Sequence, residues 1–372
     1  MKIRIKLLSL IISAVICHGC IDPIDFEVAN EFSDSIVVQG RVVNGDPSFV
    51  EVDISRFFDF SSESRQPLAV QEVIIFDDQG NQMELTTSTP GVFRQELDAT
   101  TPVQAEVGRG YSIRVRTFDG RTIESTTEIL LPNQVPQDIG IERISEVIIN
   151  EMNLLETQQR IRLSVDTEVD AELNSGLYWD VRSIFRVTDS GINDMVQRTC
   201  YIDRLTSVDD IYVLDPREFS GNQIKDFELI TIPVSAEFVE GYYFQVKQYS
   251  LTESALRYWN GIDILSEREG SVFDRPVGQV PSNLVNVDDP SNQVFGYFFA
   301  SQEQVIRKRI PDELFTDVRT ICPMLIQRFG ALIMDSCGNG VNGDTGGACT
   351  CGLCCDCRED ENSSQIRPDF FL

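Results

Sequence analysis

The residue type with the most chemistry to offer in this chain is cysteine, and its spacing is uneven. Cys17 and Cys20 close an apolar leader, Cys200 and Cys322 stand alone, and Cys337, Cys349, Cys351, Cys354, Cys355 and Cys357 crowd the end of the chain. In an exported protein, the even set of eight beyond Cys20 reads as a disulfide framework whose pairing stays open. The rival reading is a zinc knot. Cys351-Gly-Leu-Cys354 and Cys354-Cys-Asp-Cys357 have ligand spacing, but they share Cys354 and lack the long spacer between knuckles. Disulfides are therefore expected, and no metal or other cofactor. The stretch from Cys337 to Cys349 is too rich in glycine to build a core. Its shape must come from cross-links, each worth about 2–4 kcal/mol. A calcium loop over Asn339 to Asp344 lacks the closing Glu of an EF-hand.

Other reactive groups are sparse. The single histidine, His18, lies in the leader, so a processed chain has none. That removes His-activated nucleophiles and every histidine metal site. Asp209-Asp210 and Asp288-Asp289 are adjacent carboxylates, and neighbours in sequence point apart, so they read as solvated surface. No phosphate-binding glycine loop, nucleophile elbow or HExxH motif is present. No catalytic residue is expected and the protein is not expected to be an enzyme. A hydrolase working through carboxylates is the lesser alternative.

The leader itself has a recognisable form. Lys2, Arg4 and Lys6 precede the apolar run Leu7 to Ile16, and Gly19-Cys20 follows. The run is too short to span a bilayer and reads as a signal-peptide core. A small residue directly before cysteine looks like a lipoprotein signal over residues 1–19, with Cys20 acylated as the new N-terminus. Cys17 stands where such signals usually carry Leu. The formal net charge is −28, and loss of the leader's three basic residues makes it more negative. Such a surface repels phosphate backbones and anionic headgroups, which argues against nucleic acid as a partner. Attachment to the membrane is expected through lipid on Cys20. Residues 20–33, with Asp22, Asp25 and Glu27, read either as a plain tether or as an acidic sorting signal after the lipidated cysteine.

The elements that must position these groups are mostly strands. Residues 34–132 carry six or seven short candidates, among them Ser35–Val43, Phe49–Ile54, Glu72–Phe76 and Tyr111–Thr117, with Gly, Asn and Asp at the turns. This spacing predicts a β-sandwich of immunoglobulin or transthyretin type. Leu131 to Pro136, with two prolines, reads as a linker. Residues 137–335 read as a second β-rich domain, with candidates at Gln159–Val165, Leu177–Val187, Phe227–Ile232, Gly241–Tyr249, Gln293–Ala300 and Gln304–Ile310. One amphipathic helix is expected at about 251–266, with Ser250 and Glu253 as a capping box. Its Tyr258 and Trp259 read as packing against the sheet rather than as a ligand platform, and Trp179 reads as core. Residues 270–290 read as a long loop of the kind that carries binding function. Residues 336–372 form the Cys-rich tail. The fold class is mainly β.

Taken together, some of these residues resemble a known family. Gln248 to Trp259, Gly270-Ser-Val-Phe-Asp274, Pro281-Ser-Asn283 and Phe295-Gly-Tyr-Phe298 are similar to stretches of a family of Bacteroidetes outer-membrane lipoproteins of uncharacterised function. Val37-Val-Gln-Gly-Arg41, Pro90-Gly-Val-Phe93, Asp119 to Ser125 and the ending Arg367-Pro-Asp-Phe-Phe371 fit it too, where the family usually closes on Pro-Asp-Phe-Trp. The Gly- and Cys-rich insertion before that ending departs from it. The resemblance implies a lipid-anchored protein facing the cell exterior, beside a TonB-dependent, SusC-like receptor. It implies a non-catalytic accessory in substrate capture or uptake; the alternative is a structural subunit of an outer-membrane assembly. It carries no reaction and no catalytic residue.

Overall fold

A computed structural model describes residues 35–56, 66–150, 152–173, 175–189, 196–206, 211–219, 221–266, 280–322, 326–328, 331–333, 352–354 and 356–371. The leader, Cys20 with its tether, Asp209-Asp210, Asn339 to Asp344 and most of the Cys-rich insertion lie outside these residues.

Among the described residues, twenty-one strands and one α-helix are formed. The first nine strands are β1 (Ile36–Asn44), β2 (Ser48–Arg56), β3 (Val70–Asp77), β4 (Gln82–Glu84), β5 (Thr87–Thr89), β6 (Val92–Leu97), β7 (Gly110–Thr117), β8 (Thr122–Ser125) and β9 (Glu128–Ile129). Then come β10 (Val135–Ile149), β11 (Leu155–Glu168), β12 (Gly176–Thr188), β13 (Thr199–Leu205), β14 (Tyr212–Leu214), β15 (Gln223–Pro233), β16 (Tyr242–Leu251) and helix α1 (Glu253–Ser266). Last are β17 (Leu284–Asn286), β18 (Val294–Arg309), β19 (Ile326–Arg328), β20 (Ala331–Ile333) and β21 (Ser363–Ser364).

A ten-stranded sheet in the order β21-β13-β12-β16-β18-β1-β2-β6-β5, with β14 on β12, is the backbone of the fold. The sheet β17-β8-β7-β3-β4, with β9 on β7, and the sheet β10-β11-β15 provide the facing layers of the two main cores. The expected N-terminal sandwich is there, and strands from much later in the chain complete it. β18 pairs in parallel with β1, from Ile36↔Val294 to Asn44↔Gln302, and antiparallel with β16. β17 extends the second layer beside β8. The segments 34–132 and 137–335 therefore share one sheet. In the first core Val38, Val52, Phe298 and Ala300 pack on Val73, Ile113 and Val115. In the second, Trp179, Val181, Phe244 and Val246 pack on Ile161, Leu163 and Val165. Gly296 is required where β18 meets β1. Its φ is +94°, and a Cβ there would overlap the Val38 carbonyl oxygen.

Two expectations are corrected. Gln293–Ala300 and Gln304–Ile310 are one continuous strand, β18, rather than two. The helix is capped by Thr252, whose Oγ1 accepts the Ala255 N–H at 3.2 Å, and not by Ser250. Ser250 is the penultimate residue of β16; its hydroxyl donates to the Leu131 carbonyl at 2.7 Å. The segment 131–136, read as a linker, leads from β9 to β10 with Asn133 and Gln134 buried.

That buried segment meets Gln248, which is fully enclosed. Gln248 Oε1 accepts Thr167 Oγ1 at 2.9 Å and Trp179 Nε1 at 3.0 Å. Its Nε2 donates to Asn133 Oδ1 at 3.1 Å and the Gln134 carbonyl at 2.8 Å. Asn133 Nδ2 in turn donates to the Gln248 and Gln302 carbonyls at 2.6 and 2.8 Å. Buried amides are tolerated only when satisfied in this way. Gln248→Ala strands these partners. At about 1–3 kcal/mol per buried group left unpaired, it is expected to lower stability by roughly 3–5 kcal/mol in urea denaturation.

Candidate functional site

Strand alternation turns one set of side chains to the two cores and the other set to the opposite face of the large sheet. On that outer face α1 lies across β12 and β18, and a cleft of about 240 Å³ opens beside it toward β1 and β2. Its walls are aromatic: Tyr178 of β12, Tyr258 and Trp259 of α1, and Tyr297 and Phe299 of β18. Its floor is polar: Gln39 and Arg41 of β1, and Glu51 and Asp53 of β2. The strand pairs Gln39↔Tyr297, Arg41↔Phe299, Arg41↔Glu51 and Gln39↔Asp53 bring wall and floor together.

The helix is fixed over the cleft by one buried carboxylate. Glu128 accepts hydroxyl bonds from Thr252 (2.5 Å), Ser254 (3.1 Å) and Tyr297 (2.6 Å). The aromatic walls are packed rings. Tyr178 stacks on Trp259 with centroids 5.0 Å apart, and Tyr258 on Tyr297 at 4.7 Å. Tyr258 and Trp259 do pack the helix on the sheet, as expected, and they also line the cleft. Trp179 is core. Burial pushes the Tyr178 and Tyr258 hydroxyls up to about 12. Both stay neutral over the physiological range.

The floor is a chain of compensated charges. Glu51 is held by Arg41 at 2.9 Å and by Arg94 at 2.8 Å. Burial alone would raise the Glu51 carboxyl, but the two guanidinium groups outweigh it and hold it below the ordinary range. Arg94 also lies 3.8 Å from the centroid of the Phe49 ring. Further along the same face Tyr249 and Lys247 donate to Glu303 at 2.7 and 3.1 Å. An acid–base catalyst needs a group poised near neutrality. Glu51, locked ionised between two arginines, is suited to positioning. Among the described residues, no group of three His, Cys, Asp or Glu gathers as a metal site.

Of the cysteines singled out from the sequence, four are placed as two disulfides. Cys200 of β13 joins Cys357, and Cys322 joins Cys354. This commits Cys354 and Cys357 to cross-links and breaks up the zinc spacing that shares them. Cys337, Cys349, Cys351 and Cys355 lie outside the described residues. The tail so anchored adds β21 to the edge beside β13. Its Phe371 is buried against Tyr201 and Tyr243, with centroids at 4.9 and 4.7 Å. Asp288 and Asp289 are surface residues: Asp288 accepts the Thr122 N–H at 2.6 Å, and Asp289 closes a turn onto Ser291. Of the loop expected at 270–290, residues 280–290 are described. Asn283 there accepts the Phe298 N–H and donates to its carbonyl.

With this geometry in hand, comparison with known families is decisive on one point. The family described as a domain of unknown function, DUF4249, matches residues 21–307. The chain belongs to this family. The match takes in every residue that lines the cleft and stops within β18, so the disulfide-anchored tail lies beyond the DUF4249 unit. No curated protein matches the chain.

Asp180, two residues from Tyr178, gives a test of the electrostatics on this face. Its Oδ1 is buried without a hydrogen-bond partner among the described residues. Burial lifts its carboxyl above the ordinary range, against the pull of Arg182, Arg41 and Lys247. A carboxyl raised by folding holds its proton more tightly in the folded state. Stability present below the unfolded pKa, about 3.9, is therefore lost as pH rises through the folded value. Asp180→Asn is expected to melt at a higher temperature than the parent at pH 7. The gap should narrow towards pH 3.5, as thermal melts at the two pH values will show.

Proposed function

We propose that this DUF4249 protein is a non-catalytic, lipid-anchored protein of the bacterial outer membrane that faces the cell exterior. In this reading it captures a small ligand beside a TonB-dependent receptor. The observation that carries binding over catalysis is the cleft, where aromatic walls meet a floor whose carboxylate Glu51 is clamped by Arg41 and Arg94. Anchoring rests on the basic and apolar leader that ends at Gly19-Cys20.

A protein contact is supported by the hairpin of β10 and β11. β15 accompanies β11 only as far as Arg160↔Pro233, and beyond it no third strand joins the hairpin among the described residues. Its end exposes Val147, Ile149, Met152, Leu154 and Leu155, each more than half accessible. Exposed apolar clusters of this kind mark interaction surfaces. The tip points away from the end of the sheet where β1 begins at Ile36. Gln134 bonds Gln248 near the middle of β18, and Asp138 takes Lys308 at the end of β18 farthest from the Ile36↔Val294 pair. In this reading the exposed tip meets the receptor's extracellular surface.

Mild-detergent capture of the tagged protein from its native outer membranes, followed by mass spectrometry, is expected to recover a stoichiometric β-barrel receptor. Leu155→Asp with Met152→Asp should lose the receptor while leaving the melting temperature within about 2 °C of the parent, as exposed substitutions do. Recovery of the lipoprotein alone from wild-type membranes would contradict the reading. Cys20→Ala should release the protein from the membrane fraction.

A further inference from the structure

We infer that the C-terminal tail is a redox-locked strap: two disulfides hold it across the outer face of the large sheet, and their reduction releases it from a body that stays folded. The strap is independent of what the cleft captures. It lies on the same face as α1, at the opposite end of the same strands. The alternation that turns Tyr178 and Asp180 outward on β12 also turns Ile184 outward, and it turns Tyr243 outward with Tyr249 on β16. There Phe371 is buried with Ile184 and Tyr243. Gly241 leaves room for it, since a Cβ at that position would meet the Phe371 ring at 3.3 Å. Phe370 meets Tyr243 edge-on at 5.6 Å, with the Arg307 guanidinium 4.7 Å from its centroid. Residues 360–364 run along β13. The Asn362 carbonyl accepts the Asp203 N–H at 3.2 Å, Ser364 lies beside Tyr201, and Asp360 takes Arg204.

These non-covalent holds are slight. β21 is two residues long, and the Arg204 ion pair is shared with Glu237. Against them stands the conformational entropy lost at each position from 356 to 371. The cross-links tip the balance, because a disulfide limits the conformations open to the released segment. Cys200–Cys357 fastens the strap to β13 itself, and Cys322–Cys354 fastens its start to the chain that follows β18.

The body does not lean on the strap in return. Among the described residues, the first core and the cluster around α1 take no side chain from the tail, and the second core takes Leu353 and Cys357. The partners of Gln248 all lie outside the tail. On reduction each disulfide takes up two electrons and two protons and becomes two thiols. Dithiothreitol supplies both as it closes to its own cyclic disulfide. The released protein presents an open strand edge at Tyr201 and Asp203, beside an uncovered patch at Ile184 and Tyr243. Open edges and apolar patches are the features through which a chain pairs with others. The finished surface is thus conditional on a compartment that oxidises thiols.

Asp203 is the reporter. Its N–H points to the strap, while alternation turns the Ile202 and Arg204 amides to β12. Residue-resolved hydrogen exchange is followed in the mature protein, oxidised and in dithiothreitol, and in a variant carrying Cys200→Ala, Cys322→Ala, Cys354→Ala and Cys357→Ala. Cys200 and Cys357 are fully buried. The variant needs no reductant, so it carries the test wherever reduction is incomplete. In both the reduced protein and the variant, Asp203 is expected to exchange at least about a hundredfold faster than in the oxidised protein, as local release without global opening allows. Ile202, Arg204 and the amides of β16 should stay within about threefold of their oxidised rates, since they belong to the unit that remains closed. Asp203 protection that survives in the variant shows that the strap holds without its cross-links and overturns the inference. Loss of protection in β16 along with Asp203 makes the tail a part of the body's fold and overturns it too. Receptor capture from membranes is a separate readout, so the strap and the receptor reading fail independently.

Discussion

One enclosed carboxamide holds the layers of this protein in register. Gln248 faces inward from β16, and its side chain is satisfied by four partners: Thr167 of β11, Trp179 of β12, and Asn133 and Gln134 of the segment between β9 and β10. Asn133 extends the node to the Gln302 backbone of β18. The segment that looks like a linker is thus the point where the chain passes from one facing sheet to the other. Hydrophobic burial drives both cores, but it is non-directional and tolerates sliding. A fully paired buried amide does not tolerate sliding, because any shift leaves several groups desolvated and alone.

The outer face inherits this register. Strand side chains alternate, so fixing Trp179 and Gln248 inward fixes Tyr178, Asp180, Lys247 and Tyr249 outward, and a slip of one residue would exchange the two sets. The parallel pairing of β1 with β18 does the same for the cleft, by setting Arg41 beside Phe299 and Gln39 beside Tyr297. The groups expected to bind ligand are separated by more than two hundred residues in the chain. The inward half of the same strands is what brings them together.

Much of the fold was legible because one-sided burial leaves a period of two in the sequence. Phe49–Ile54 and Tyr111–Thr117 alternate cleanly and become β2 and β7. β10 was not legible: Ile139 is its one fully buried hydrophobic, and its distal half is exposed, so no period is written into it. β18 looked like two strands because Ser301, Gln302 and Glu303 interrupt an apolar run. Those three are polar for structural reasons: Gln302 accepts the Asn133 N–H, Glu303 binds Tyr249 and Lys247, and Ser301 is enclosed between neighbouring strands. Ser250 resembled a helix cap, yet the strand runs through it and Thr252 takes that role. The aromatic half of the cleft was visible in Tyr258 and Trp259, where packing and lining coincide. Its polar half was hidden, since no local pattern encodes which residue of β18 lies beside Arg41.

The central claim is that β18 and the Gln248 node join the two cores into one cooperative unit. Differential scanning calorimetry of the oxidised mature protein tests it most directly. The account predicts a single endotherm with calorimetric and van't Hoff enthalpies in agreement, as all-or-none unfolding requires. Two resolved transitions, one for each core, would contradict it.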